Sequence, residues 1–136
     1  MKILIINDDP AMTDLLLMML APIKAVIKCA NSGNEGLETL QEYTPDIVLI
    51  DLMVPETDTW KVTSEIRKTS SIPILILSVI DNPILVARAL DKGADDFLIK
   101  PVPMEVLIAH INNLTRRRQI SKPGAQISTA FQTVYK

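Results

Sequence analysis

Short apolar runs alternate along this chain with longer stretches whose hydrophobic residues recur every three to four positions. The runs at residues 2–6 (KILII), 46–50 (DIVLI) and 73–77 (PILIL) are short and aliphatic, the pattern of buried strands. Weaker runs at residues 25–30 (AVIKCA) and 97–99 (FLI) predict a second and a fifth strand. Asp9 followed by Pro10 supplies an N-cap and a proline in a first helical turn. Met12, Leu15, Leu16 and Met19 then fall on one helical face, and Pro22 closes that region. Residues 31–43 predict a turn and a second helix, and residues 58–68 a third, partly anchored by Trp60 and Ile66. A fourth follows the fourth strand and runs to Asp91, with Gly93 as its cap. Residues 104–118 predict a last helix with Leu107, Ile111 and Leu114 facing inward.

Five strand-then-helix units imply a parallel sheet with helices on both faces. The strands lack clean apolar–polar alternation, as they must when both faces are covered. The periodicity stops at Gln119, and SKPGAQ reads as linker. The expected organisation is therefore one domain over residues 1–118. Residues 119–136 are expected to be a linker or the start of an output domain.

Composition narrows the core and the setting. Hydrophobic residues make up 48% of the 136 residues and aromatics only 4%, so the core must be aliphatic. Cys29 is the single cysteine; no intrachain disulfide can form, which suits a reducing compartment. Its plain reading is a small buried apolar residue or a surface thiol. No cleavable signal opens the chain and no apolar run approaches membrane-spanning length, so the expected setting is cytoplasmic, with no membrane partner. Net charge is −2, but five basic residues and no acid follow Leu114, leaving nine basic against 16 acidic residues, net −7, before it. The globular part is too acidic to suggest nucleic-acid binding, and the basic run suits the solvated end of a helix.

The chemistry lies in where the polar residues stand. Asp8 and Asp9 follow the first strand, Asp51 the third, Ser78 the fourth and Lys100 the fifth. A parallel sheet brings all five to the edge formed by the strands' carboxyl ends, where open α/β sheets bind ligands. Wet strand ends explain one or two such residues, but poorly explain three acids, a hydroxyl and a lysine at matching offsets. Clustered carboxylates need a cation, and an all-oxygen donor set favours Mg²⁺ over zinc. The set fits phosphoryl transfer: Asp51 as nucleophile, the metal and Lys100 offsetting oxygen charge, and Ser78 donating a hydrogen bond.

The segments ILIINDDP, PDIVLIDLMVPETD, IPILILS and GADDFLIKPV, in this order and spacing over roughly residues 2–118, strongly resemble the receiver domains of two-component response regulators. The resemblance implies a flavodoxin-like doubly wound sheet of five parallel strands in the order 2-1-3-4-5, an order for which a member of this same family is a general example. It implies that Asp51 is the phosphoacceptor, loaded by a sensor histidine kinase or phosphotransfer protein. Asp8 would ligate the metal, joined by Asp51 and the backbone carbonyl of Met53, with Asp9 a further candidate and Asn7 acting through a water. Ser78 would be the switch hydroxyl, Lys100 the phosphoryl-stabilising lysine and Phe97 the switch aromatic. Pro101 would follow that lysine through a cis peptide bond. Such a domain is a signalling phosphoacceptor rather than an enzyme, assisting its own phosphoryl transfer and slow dephosphorylation.

Four positions depart from the family pattern. Asn7 stands where the first acid of a pair is usual. Glu56 and Thr59 replace two glycines around Asp58, so Thr57 or Thr59 is expected to cap the next helix. Val79 replaces a small residue after the switch hydroxyl, where its branches would crowd the phosphoryl pocket. The last helix is similar to that of regulators with winged-helix DNA-binding outputs, which dimerise through the fourth helix, fifth strand and fifth helix. Lys92, Asp95, Asp96 and His110 would belong to that face, although an exposed helix residue without a role is the plainer reading of His110. DNA would be met only through an output domain. Three other readings compete. A receiver-like interaction module that is never phosphorylated is favoured by Asn7 and Val79 but opposed by Asp51, Ser78 and Lys100. An aspartyl phosphatase would need a D-x-D-x-T motif that NDDPAMT does not match. A flavin carrier would need a Ser/Thr-rich loop where the acids stand.

Overall fold

The computed structural model describes residues 1–52 and 56–121, with the backbone alone at 56, 57 and 119–121. The chain runs β1 (Lys2–Asn7), α1 (Pro10–Leu20), a 3₁₀ turn (Ala21–Ile23), β2 (Val26–Ala30), α2 (Gly33–Tyr43), β3 (Ile47–Asp51), α3 (Glu56–Thr69), β4 (Ile74–Ser78), α4 (Pro83–Asp91), β5 (Asp96–Ile99) and α5 (Met104–Ser121). The strands form one sheet in the order β2-β1-β3-β4-β5, every pairing parallel. The order reverses between β1 and β3, and this is the switch point at which such sheets open a crevice.

Two cores result from the period-two geometry of the central strands. Ile3, Ile5, Ile47, Leu49, Leu75 and Leu77 face α1 and α5, where Leu16, Leu20, Leu107, Ile111 and Leu114 meet them. Leu4, Ile6, Val48, Ile50, Ile74 and Ile76 face the opposite side, against Tyr43, Val62, Ile66 and Ala89. Both sides of β1 and β3 are dry, which is why their sequences show unbroken apolar runs rather than alternation. The edge strand β2 does alternate between exposed and shielded positions.

Local details differ from the expectations at three places. Leu15 is 46% exposed, and Leu20, fully buried, takes its place beside Leu16; four residues apart, those two set the inward line of α1. Pro22 sits inside the 3₁₀ turn rather than after the helix, and Lys24 closes the turn at φ 52. Helix α3 starts at Glu56, so positions 57 and 59 fall within it rather than ahead of it. Thr59 is buried and its carbonyl accepts the Thr63 hydroxyl at 2.7 Å.

Candidate functional site at the carboxyl edge of the sheet

Strands β1, β3, β4 and β5 deliver their polar residues to one edge because the parallel sheet aligns the strand ends. Asn7 and Asp51 are register partners on β1 and β3, and they are 1% and 2% exposed. Lys100 follows β5, and its Nζ donates to Asp51 Oδ1 at 2.7 Å. Two backbone features hold that lysine. Its N–H donates to the Ser78 carbonyl at 2.8 Å, and the Lys100–Pro101 peptide is cis, as the resemblance implied.

Burial raises the Asp51 carboxyl above the ordinary aspartate value; the Lys100 hydrogen bond and charge pull it down, and Asp8 and Asp9 push it up. Burial wins, with a stability consequence. A raised native value means that the folded protein holds the proton more tightly than the unfolded chain. Stability is then fullest below the unfolded value and is lost as pH rises through the native one. Asp51→Asn removes the ionising group, so its melting temperature in cation-free buffer is expected to exceed the wild type's by a few degrees at pH 7.5, the gap closing on acidification. A less stable variant at pH 7.5 would mean that losing the Lys100 pair outweighs the relief of desolvation.

The remaining edge residues divide by role. Asp8 is exposed and lines a cleft of about 250 Å³ with Leu52, Asp58 and Lys61. Asp9 caps α1, its Oδ1 accepting the Ala11 N–H at 3.1 Å, so one oxygen of this candidate ligand is taken up by the helix. Ser78 Oγ accepts the Ile80 N–H at 3.1 Å. Phe97 is half-buried against the α2–α3–α4 core and lines a narrow gap with Ser78, Trp60 and Ile80, beside the hydroxyl with which the resemblance pairs it. Val79 is 70% exposed and lines an apolar cleft with Leu16, Met19, Lys100 and Pro101. The backbone carbonyl of Met53 lies outside the described residues.

Two observations bear on whether the donor set fits a divalent cation. Among the described residues, no group of three or more His, Cys, Asp or Glu could hold a metal ion by itself. Yet Asp51 Oδ2 is buried with no hydrogen-bond partner among the described residues, an anionic oxygen that burial penalises unless positive charge or a donor meets it. Two carboxylates with water and phosphoryl oxygens completing the shell fit Mg²⁺, which keeps much of its hydration.

The four dimer-face candidates stand on the end of α4, the turn into β5, β5 itself and α5. Lys92 is exposed at the end of α4. Asp95 stands at the opposite, amino edge of the sheet, where it accepts from Arg67 and from the Ile74 N–H at 2.8 Å. Asp96 Oδ2 lies 2.5 Å from His110 Nδ1. This intramolecular contact gives His110 a partner that the plainer reading denied it. No local signal announces either pair, because 28 and 14 residues separate the partners.

Residues 3–112 match the family model described as the response regulator receiver domain. The chain belongs to that family and is a receiver domain of two-component signalling. The transcriptional regulatory protein AfsQ1 of Streptomyces coelicolor is 37% identical over 116 residues, covering 85% of this chain and 52% of that protein; the chain spans about half the length of this curated relative. The BeF3-activated N-terminal receiver domain of Klebsiella pneumoniae RstA is similar with a TM-score of 0.80 at 28% identity, covering 85% of this chain and 99% of that one. A response regulator receiver domain protein from Clostridium thermocellum gives a TM-score of 0.81 at 27% identity, covering 89% and 98%. Among the described residues, no helix is long and apolar enough to cross a membrane.

Proposed function

We propose that this chain accepts a phosphoryl group on Asp51 from a sensor histidine kinase or phosphotransfer protein and uses it to switch an output, with transcription the favoured one. The carrying observation is the asymmetry of Asp51: Oδ1 is held by Lys100 at 2.7 Å, while Oδ2 is buried without a partner among the described residues. Oδ2 is thus the oxygen left to attack. A bond forms from it to phosphorus as the bond from phosphorus to the donor's imidazole nitrogen breaks, and that nitrogen takes a proton from water. Lys100 offsets the charge on the phosphoryl oxygens and Ser78 turns its hydroxyl toward one of them. Mg²⁺ would be held by Asp8 and Asp51, with the Met53 carbonyl as the further ligand that the resemblance implies, and when bound would supply further positive charge there. The regulator class of AfsQ1 supports a transcriptional output, with residues 119–136 a linker or the start of an output domain and DNA met only through such a domain. Hydrolysis returns the carboxylate slowly, without a separate substrate. Labelling with acetyl phosphate tests the reading.

The output face is α4, β5 and α5. Phosphorylation is expected to strengthen self-association there, but weakly. Asp95 and Asp96 already hold Arg67 and His110 within the chain, so pairing across an interface must displace those contacts. Sedimentation velocity with and without beryllofluoride, a phosphoryl mimic, reads the effect as a shift from monomer toward dimer. An unchanged monomer would assign signalling to another surface.

A further inference from the structure

Asn7 is fixed in a way that its sequence position alone does not reveal. The Asp9 backbone N–H donates to Asn7 Oδ1 at 2.7 Å. That bond sets the amide's orientation, since flipping it would put an N–H against an N–H. Nδ2 must therefore point the other way, and it is buried with no partner among the described residues. Its register neighbour across the β1–β3 ladder is Asp51, whose Oδ2 is likewise buried and unpaired among those residues. An unsatisfied donor and an unsatisfied acceptor thus share one dry edge of the sheet. An acid at position 7 would put a second acceptor and a second negative charge there instead.

We propose that Asn7 is a specificity-determining donor for the anion seated on Asp51, and that the site accepts a phosphoryl-like group with less dependence on a divalent cation than it would with an acid at position 7. The inference rests on the phosphoacceptor reading of Asp51. Two effects act together. The amide N–H satisfies one oxygen or fluorine of the incoming anion, as a hydrogen bond to a charged group does. The neutral side chain also removes the repulsion that a further carboxylate would exert on that anion. Cation binding is weakened in exchange, because the cluster loses one negative charge.

The test uses the full chain and two variants, with Trp60 fluorescence and amide NMR shifts as readouts. Trp60 is a suitable reporter because it lines the gap beside Ser78. Each protein is titrated with Mg²⁺ alone, with beryllofluoride in cation-free buffer, and with beryllofluoride in saturating Mg²⁺. In the wild type, cation-free beryllofluoride binding is expected to be measurable. Asn7→Asp should bind Mg²⁺ about tenfold more tightly and cation-free beryllofluoride about tenfold more weakly. Asn7→Ala removes the donor without adding charge, so it should lose cation-free binding to a similar degree while its Mg²⁺ affinity stays within about threefold. The aspartate variant keeps an acceptor for the Asp9 N–H, so the comparison survives if the alanine variant folds poorly. No cation-free binding in the wild type overturns the proposal. So does an Asn7→Asp variant that gains Mg²⁺ affinity with no loss of cation-free binding, because Asn7 is then only a missing ligand. Acetyl phosphate labelling separates the two levels: a wild type that labels while the variants behave alike refutes the donor role alone, whereas one that never labels refutes the phosphoacceptor reading beneath it.

Discussion

Asp51→Asn is expected to abolish labelling by acetyl phosphate, read by intact mass in Mg²⁺. The substitution preserves the shape of the side chain at a position only 2% exposed, so the sheet edge keeps its packing. What changes is the nucleophile: an amide oxygen carries no full negative charge, and an amide nitrogen has its lone pair delocalised. The alternative acid, Asp8, is exposed, whereas Asp51 is buried and is the carboxylate that receives the Lys100 ammonium. Lys100→Ala should cut the labelling rate by about a hundredfold rather than abolish it, since it removes stabilisation of oxygen charge and not the attacking atom. Undiminished labelling of the asparagine variant sinks the assignment outright. Residual labelling mapped by peptide mass spectrometry to Asp8 would show that the two acids exchange roles.

This edge of the molecule is legible in the sequence because strand ends can be located from apolar runs, and parallel pairing then leaves little freedom in where their next residues go. Asp51, Asp8, Ser78 and Lys100 stand out by offset alone, and the covering of both sheet faces follows from unbroken runs such as KILII and DIVLI. What escapes is set by side-chain reach across long separations. Asp95 and Asp96 look equivalent as adjacent acids, yet the first turns to Arg67 and the second to His110. Successive residues at a strand point in opposite directions, and the strand period assigns sides but not partners. The start of α3 escapes for a related reason: Thr57 and Thr59 resemble caps by residue type, whereas the helix begins at Glu56 and buries Thr59.

Arg67 carries the largest stability effect expected outside the core. From α3 its Nε donates to the Gly93 carbonyl at 2.7 Å, and its Nη1 to the Ile72 carbonyl at 2.6 Å and the Ser70 carbonyl at 3.2 Å. Its Nη2 donates to Asp95. One guanidinium thus ties the end of α3 to the start of β4 and to the turn before β5, at the edge opposite Asp51. The fit is close: at Gly93, where φ is 115, an added Cβ would come 2.3 Å from Arg67 Cγ. The side chain is 22% exposed, so water replaces its bonds poorly. Arg67→Ala leaves three carbonyls and a carboxylate short of a charged donor, each bond being worth about 1.5–3 kcal/mol but far from additive. A loss of about 3 kcal/mol is expected, a large share of the roughly 5–15 kcal/mol that holds a domain together. Urea denaturation should show a lowered midpoint with an unchanged slope. Arg67→Lys should recover only a small part, because one ammonium cannot span donors fixed in a planar fork. Below the unfolding transition, labelling of Asp51 should proceed normally in both variants, since the clamp touches neither β3 nor Lys100. A loss under about 1 kcal/mol in the alanine variant would mean that solvent satisfies those carbonyls and that Asp95 can serve an interface after all.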